Sequence, residues 1–129
     1  MPWEILFANR GCVRRLSGHV TYRDFLESRE AIGMSPEADE VRWVLDDSRD
    51  VESLTLSPEE VALEQAIVAK RLFVRGERWA VLSRPGNNVR SVVQQFDQAP
   101  APSGKIETRL FEDIIAAMDW LCSRSDEVP

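Results

Sequence analysis

The sequence predicts an α/β fold: one domain over residues 1–129, built on a mixed five-stranded sheet with four helices. Three observations lead there. Short apolar runs of strand length alternate with segments of helical periodicity, which implies βα units and parallel strands joined by right-handed crossovers. The first two strand-like runs are separated only by a turn, which adds an antiparallel hairpin to that sheet. At 129 residues and 43% apolar composition the chain can bury one core.

Trp3–Ala8 (WEILFA) reads as the first strand, and Asn9-Arg10-Gly11 as a turn with a glycine available for positive φ. Cys12–Gly18 (CVRRLSG) reads as its hairpin partner. Thr21 then caps a helix, with Asp24 as the reciprocal half of a capping box. Tyr22, Phe25, Leu26 and Ile32 form its apolar stripe, and Gly33 ends it. Val41–Asp46 (VRWVLD) is apolar enough to be a central strand. A polar loop follows, and then Ser57-Pro58-Glu59-Glu60 writes a helix start: Ser57 at the N-cap, Pro58 at N1, Glu60 answering at N3. That helix is expected to reach about Leu72 and to pack through Val61, Ala62, Ala66, Ile67 and Ala69.

Arg78–Ser83 (RWAVLS) has the continuous apolar run of a buried strand. Pro85-Gly86 breaks the chain, and Asn87 or Asn88 opens a third helix with Val89, Val92, Val93 and Phe96 on one face. Ala99–Gly104 is a loop stiffened by two prolines. Lys105–Phe111 alternates through Ile106, Thr108 and Leu110 as an edge strand. Glu112–Ser123 is the last helix, expected to bury Ile114, Ile115, Met118, Leu121 and Cys122. Residues 124–129 are expected to fray.

A formal charge of −6 argues against a general nucleic-acid or anionic-membrane surface. Arg14, Arg15, Arg23 and Arg29 leave room for a local basic patch. With no signal-peptide pattern and no apolar run of membrane-spanning length, a reducing cytoplasm is the expected location. Both cysteines, Cys12 and Cys122, are expected in the core. One histidine and no clustered cysteines make no metal pattern, so neither a metal nor a cofactor is expected. Of the four tryptophans, Trp3, Trp43, Trp79 and Trp120, most should be core, and some could line an apolar cavity or an oligomer face.

The stretch VLDDSRDVESLTLSPEE, Val44 to Glu60, holds the candidate site residues Asp46, Asp47, Ser48, Thr55 and Ser57. Paired aspartates at a strand end could form a phosphoaspartate pocket, but that needs further acids and a lysine at neighbouring strand ends. Those ends carry Ser17-Gly18-His19 and Ser83-Arg84 instead. The better reading is that Asp46 and Asp47 accept hydrogen bonds from the loop as an Asx-turn. Ser57 reads first as an N-cap, worth about 1 kcal/mol. His19 has no partner arrangement of the Ser-His-Asp kind and reads as a loop histidine.

The phrases GCVRRLSGHVTYRDFLES, VRWVLDDSRDVESLTLSPEEV, NNVRSVVQQF and RLFEDIIAAMDWL, with the element order, resemble the STAS and SpoIIAA-like superfamily. The likeness is closest to a small uncharacterised bacterial branch related to CRAL-TRIO lipid-binding folds. It implies the α/β architecture, and for regulatory STAS proteins a kinase-modified serine near a helix N-terminus. That turn falls around Leu54-Thr55-Leu56-Ser57, where this chain lacks the preceding Asp and the following Gly. A phosphate on Ser57 would gain from the helix dipole and meet Glu59 and Glu60 at close range. Arg90 matches an arginine of the related uncharacterised proteins and could contact an anionic ligand near the strand ends; a solvated helix arginine is the competing reading. The resemblance implies a non-catalytic regulatory module that binds a protein partner or a second copy of itself. The alternative is a binder of an apolar or lipid-like small molecule in a cavity between helices and sheet. An enzyme would need a nucleophile–base pair that the sequence does not offer.

Overall fold

The structure, a computed structural model, describes residues 2–69, 78–86, 88–98 and 107–122. Its strands are β1 (Trp3–Ala8), β2 (Gly11–Thr21), β3 (Trp43–Thr55), β4 (Arg78–Leu82) and β5 (Glu107–Phe111). The helices are α1 (Tyr22–Gly33), α2 (Pro58–Ala69), α3 (Val89–Gln98) and α4 (Ile114–Cys122), with a short 3-10 turn at Ala38–Glu40. The strands lie in one sheet in chain order, β1 antiparallel to β2 and every other neighbouring pair parallel. This is the mixed five-stranded α/β architecture that the sequence predicts. Among the described residues no helix is long and apolar enough to cross a membrane.

Period-two alternation sorts the strand residues onto two layers. Cys12, Leu16, Val20, Val44, Val51, Trp79 and Val81 face one side, together with Ile32 of α1 and Val89 and Val93 of α3. Trp43, Leu45, Ala80 and Leu82 face the other, where Ala117 and Leu121 of α4 meet them.

The hairpin turn differs from expectation in a telling way. Asn9 and Arg10 carry the positive φ values, 51° and 63°, while Gly11 already belongs to β2. Gly11 is needed for space: a Cβ there would stand 1.9 Å from Trp43 Cε2, and Trp43 is its register partner on β3. Positive φ appears later in β2, at Gly18 (70°), where the pairing with β3 shifts register.

The larger correction concerns the polar stretch after Asp46. It is strand as far as Thr55, leaving only Leu56 and Ser57 before α2. β4 stops at the Asp47–Leu82 pair, and beyond it β3 continues against β2 as far as the Thr21–Thr55 pair. Val51 and Leu54 drive this, because both are buried beside Val20. Side chains from the next segment cover the edge that β4 leaves. The Leu54 N–H donates to Asn88 Oδ1 at 2.8 Å, and Asn88 Nδ2 donates to the Leu54 carbonyl at 2.6 Å. The Arg84 guanidinium donates to the Arg49 and Val51 carbonyls. Polar composition hid the strand because its unpaired edge is satisfied by side chains rather than by another strand.

Three helices bury only part of the faces that hydrophobicity predicts, with Tyr22, Ile32, Val61 and Leu121 buried and Phe25 and Met118 packed against the core. α1 buries Tyr22, Ser28, Arg29 and Ile32, whereas Leu26 is 41% exposed. α2 buries Val61 and Glu64 and leaves Ala62 and Leu63 outside. α4 buries Ala117 and Leu121, with Ile114, Ile115 and Cys122 exposed. Asp113 caps α4, accepting from the Ala116 N–H at 3.1 Å. Cys12 is fully buried as expected, and Cys122 is not. Leu72, the side chains of Ile67, Ala69 and Phe96, the loop 99–104, Ile106 and residues 124–129 lie outside the described residues.

Candidate functional site

Between the sheet and helices α1, α2 and α3 lies a cavity of about 70 Å³. Leu16, Trp79 and Val81 form its floor, and Phe25, Val61 and Val92 close it from the three helices. Asp46, Ser48 and Glu64 also reach its wall. Its wall is almost wholly apolar, as the body of a ligand site usually is.

Asp46 and Glu64 belong to buried ion pairs. Arg14 on β2 and Asp46 on β3 are register partners facing the same side of the sheet. Arg14 Nε and Nη2 donate to Asp46 Oδ1 and Oδ2 at 2.8 and 2.7 Å, a bidentate pair with Arg14 fully buried. Asp46 Oδ2 also accepts the Trp79 indole N–H at 2.9 Å. Arg14 Nη1 donates to Ser28 Oγ at 2.9 Å, and the guanidinium lies 4.6 Å from the Phe25 ring centroid. Burial works against the charge on Arg14, but Asp46 outweighs it through charge and hydrogen bonds, and Glu64 adds to it, so the arginine pKa is raised. The same surroundings push the buried Cys12 thiol up to about 12, through desolvation first and the Asp46 charge second, with Arg14 opposing. Cys12 is thus an inert thiol at neutral pH. A second buried pair joins α1 to α2: Arg29 Nη1 donates to Glu64 Oε1. Glu64 Oε2 is buried with no hydrogen-bond partner among the described residues.

The residues singled out in Val44–Glu60 do not converge. Asp46 and Ser48 line the cavity, and Ser48, 2% exposed, donates to the Leu82 carbonyl at 2.7 Å. Asp47 points to the opposite face and holds Arg49, accepting from its Nε at 3.0 Å and Nη2 at 2.9 Å. Asp47 also accepts the Arg49 backbone N–H at 3.2 Å, the Asx-type contact that the sequence predicts for both aspartates; Asp46 spends its oxygens on Arg14 and Trp79 instead. Thr55 is exposed at the end of β3. Ser57 is the helix cap it spells: its Oγ accepts the Glu60 N–H at 3.1 Å, and Glu60 Oε1 accepts the Ser57 N–H at 2.8 Å.

Arg90 is half-exposed on α3 and donates to Glu112 Oε2 at 3.0 Å. The four arginines of the expected basic patch separate. Arg14 and Arg29 are buried, while Arg15 and Arg23 are exposed beside Glu4 and Glu27. His19 sits on a strand rather than a loop, exposed, with Nδ1 2.7 Å from Ser53 Oγ. Glu52 Oε1 lies 3.9 Å from its Nε2, beyond hydrogen-bond reach, so the carboxylate does not orient the ring. Among the described residues no three His, Cys, Asp or Glu side chains are grouped to hold a metal ion.

Arg14, Ser28, Arg29 and Glu64 were not visible as a set from composition. The signal that could have found them is parity. Arg14 stands between Cys12 and Leu16, and Asp46 follows Val44, so both charges occupy inward positions of their strands. Glu64 likewise falls one turn after Val61 on the buried face of α2.

No protein-family model matches this chain, and no curated protein matches it at a significant level. Among solved structures it is similar to an uncharacterized protein of the DUF3478 family with a SpoIIAA-like fold from Shewanella loihica PV-4. The two share 19% identity with a TM-score of 0.56, over 93% of this chain and 92% of that one. At that identity the likeness is one of fold, and the SpoIIAA-like architecture is what it establishes.

Proposed function

We propose that this chain is a non-catalytic binding module that takes a small apolar molecule in the cavity between the sheet and helices α1–α3. The cavity carries the reading. Its volume of about 70 Å³ is several times the ~10–15 Å³ that one water requires. It is below the ~300–1,000 Å³ of drug-sized sites, so the occupant is a compact molecule rather than a long acyl chain. Arg14 with Asp46 and Arg29 with Glu64 brace two sides of the space, a rigid wall that suits recognition.

The regulatory-partner reading, drawn from the resemblance to anti-anti-sigma proteins, is supported by one surface feature. Leu63, 52% exposed, stands on α2 just beyond Glu59 and Glu60. A protein partner or second copy would meet that helix start together with Thr55 and Ser57.

Native mass spectrometry of the purified chain separates the two. The cavity reading expects a small-molecule adduct that disappears on unfolding, or a rise in Tm with compact apolar fragments. A dimer without adduct and without any fragment stabilisation would refute it in favour of the partner reading.

A further inference from the structure

The two edges of the sheet are unlike. β5 carries the exposed Arg109 at mid-strand. β1 (WEILFA) holds one charge, Glu4, and neither a proline nor a bulge. Charges, prolines and bulges are the devices by which edge strands usually escape pairing. Which groups β1 leaves open follows from its ladder. The Ser17 N–H donates to the Pro2 carbonyl at 2.9 Å, which makes Pro2–Ser17 a hydrogen-bonded pair of the antiparallel ladder. Such pairs alternate, so Glu4, Leu6 and Ala8 also turn their N–H and C=O groups toward β2. Trp3, Ile5 and Phe7 turn theirs outward, and among the described residues no other group bonds to them. Their side chains are only partly buried, packed against the core cluster that holds Ile32 of α1.

We propose that this edge pairs with the same edge of a second copy, β1 antiparallel to β1 about a two-fold axis at Ile5, joining two five-stranded sheets into one. Self-complementarity selects that occupant. With Ile5 opposite Ile5 of the second copy, Trp3 stands opposite Phe7 and Phe7 opposite Trp3, and the outward N–H and C=O of all three residues are bonded. A shift of two residues toward the turn sets Trp3 against Asn9, whose φ of 51° takes it out of the strand. Opposed side chains share a face, so the pairing adds Trp3–Phe7 aromatic contacts on the α1 side and completes the burial of Ile5. On the other face Leu6, 50% exposed, is covered by the stem of Glu4 from the second copy, whose carboxylate keeps its own Arg15 at 3.6 Å. Each chain has one such edge, so the assembly closes at two. An edge of six residues is a small interface, so the dimer is reversible and forms at protein concentrations of about 10 µM to 1 mM. No residue that lines the cavity is on β1, so the pairing and the occupancy of the cavity are independent.

Sedimentation equilibrium of the full chain over that range is the test. The average mass is expected to rise from 14.7 kDa toward twice that value and no further. Ile5→Pro deletes an outward N–H and no bond of the β2 ladder, and is expected to weaken the dimer at least ~tenfold. Leu63→Asp, at an exposed position of α2, is expected to leave the dimer unchanged. If Ile5→Pro fails to fold, disulfide trapping at two exposed positions decides the matter. Glu4 and Leu6 of the two copies form a non-hydrogen-bonded pair with Cα atoms about 4.5 Å apart, within the ~4.4–6.8 Å that a disulfide spans. In a Cys122→Ser background, an equimolar mixture of Glu4→Cys and Leu6→Cys chains is expected to give the mixed disulfide dimer in preference to either self-linked one. A monomer at every concentration overturns the pairing, as does a mass that climbs past two chains. So does a dimer that Leu63→Asp breaks and Ile5→Pro does not, self-linking equal to or above the mixed product, or no linking at all.

Discussion

Asp46→Asn isolates the worth of the buried ionic pair. The side chains are isosteric, so no cavity is created, and what changes is the charge facing Arg14. The guanidinium is fully buried; it would keep Ser28 Oγ, the Phe25 ring and the charge of Glu64, which is itself paired with Arg29. It would lose one acceptor of its 2.8 and 2.7 Å bonds to an NH₂ group that can only donate. The Trp79 indole competes for the oxygen that remains. Removing one partner of a buried pair costs about 3–5 kcal/mol. At ~2.1 cal/mol/K per residue, the unfolding entropy of 129 residues is about 0.27 kcal/mol/K, so ~4 kcal/mol lowers Tm by about 15 °C. Thermal melts followed by near-UV circular dichroism measure this directly. Arg14→Met with Asp46→Leu replaces the pair by apolar side chains and is expected to recover most of the loss, because it also removes two desolvation penalties. A loss under about 1 kcal/mol for Asp46→Asn, the worth of a surface pair, would refute the reasoning. So would a double variant as unstable as the two single changes added together.

Three further outcomes follow from particular contacts. Gly11→Ala puts a methyl 1.9 Å from Trp43 Cε2 and should cost about 1–3 kcal/mol in urea unfolding, whereas Arg10→Gly, at φ 63°, should not destabilise. Native thiol titration with Ellman's reagent should modify Cys122 alone, with Cys12 reacting only on unfolding; rapid labelling of Cys12 would contradict its burial and raised pKa. Burial raises the Asp47 carboxyl, but hydrogen bonds from Arg49 and the charges of Arg49 and Arg15 more than reverse it, so its folded-state pKa is depressed. A depressed carboxyl contributes stability above its unfolded pKa of ~3.9 and loses it as pH falls through the folded value. Urea midpoints of Asp47→Asn should therefore fall less steeply than wild type on acidification below about pH 4; parallel curves would argue that the Asp47–Arg49 pair is not formed in solution.

The candidate site was half legible. Asp46 reads as the last residue of a strand and Ser48 as part of the loop after it, and both line the cavity from inside β3. Ser57-Pro58-Glu59-Glu60 folds as the cap it spells, since a capping box is satisfied by groups within four residues. Glu64 is not legible as a site residue, because a charged residue on an apolar helix face reads as an interruption until Arg29, 35 positions away, is seen beside it.

Local chemistry therefore determined the strand and helix order, the hairpin, both capping boxes and the mixed α/β sheet. Each depends on periodicity or on neighbours along the chain, and the sequence records both. Pairing distant in sequence decided the rest. β3 extends to Thr55 because β2 is long enough to pair with it and Asn88 covers its edge. Gly11 is a glycine because Trp43 lies over it. The cavity exists because the side chains of α1, α2 and α3 meet the sheet without filling the space around Glu64 and Trp79. Which charges are buried, and against what, is set by three-dimensional contact, and on that contact the proposed function rests.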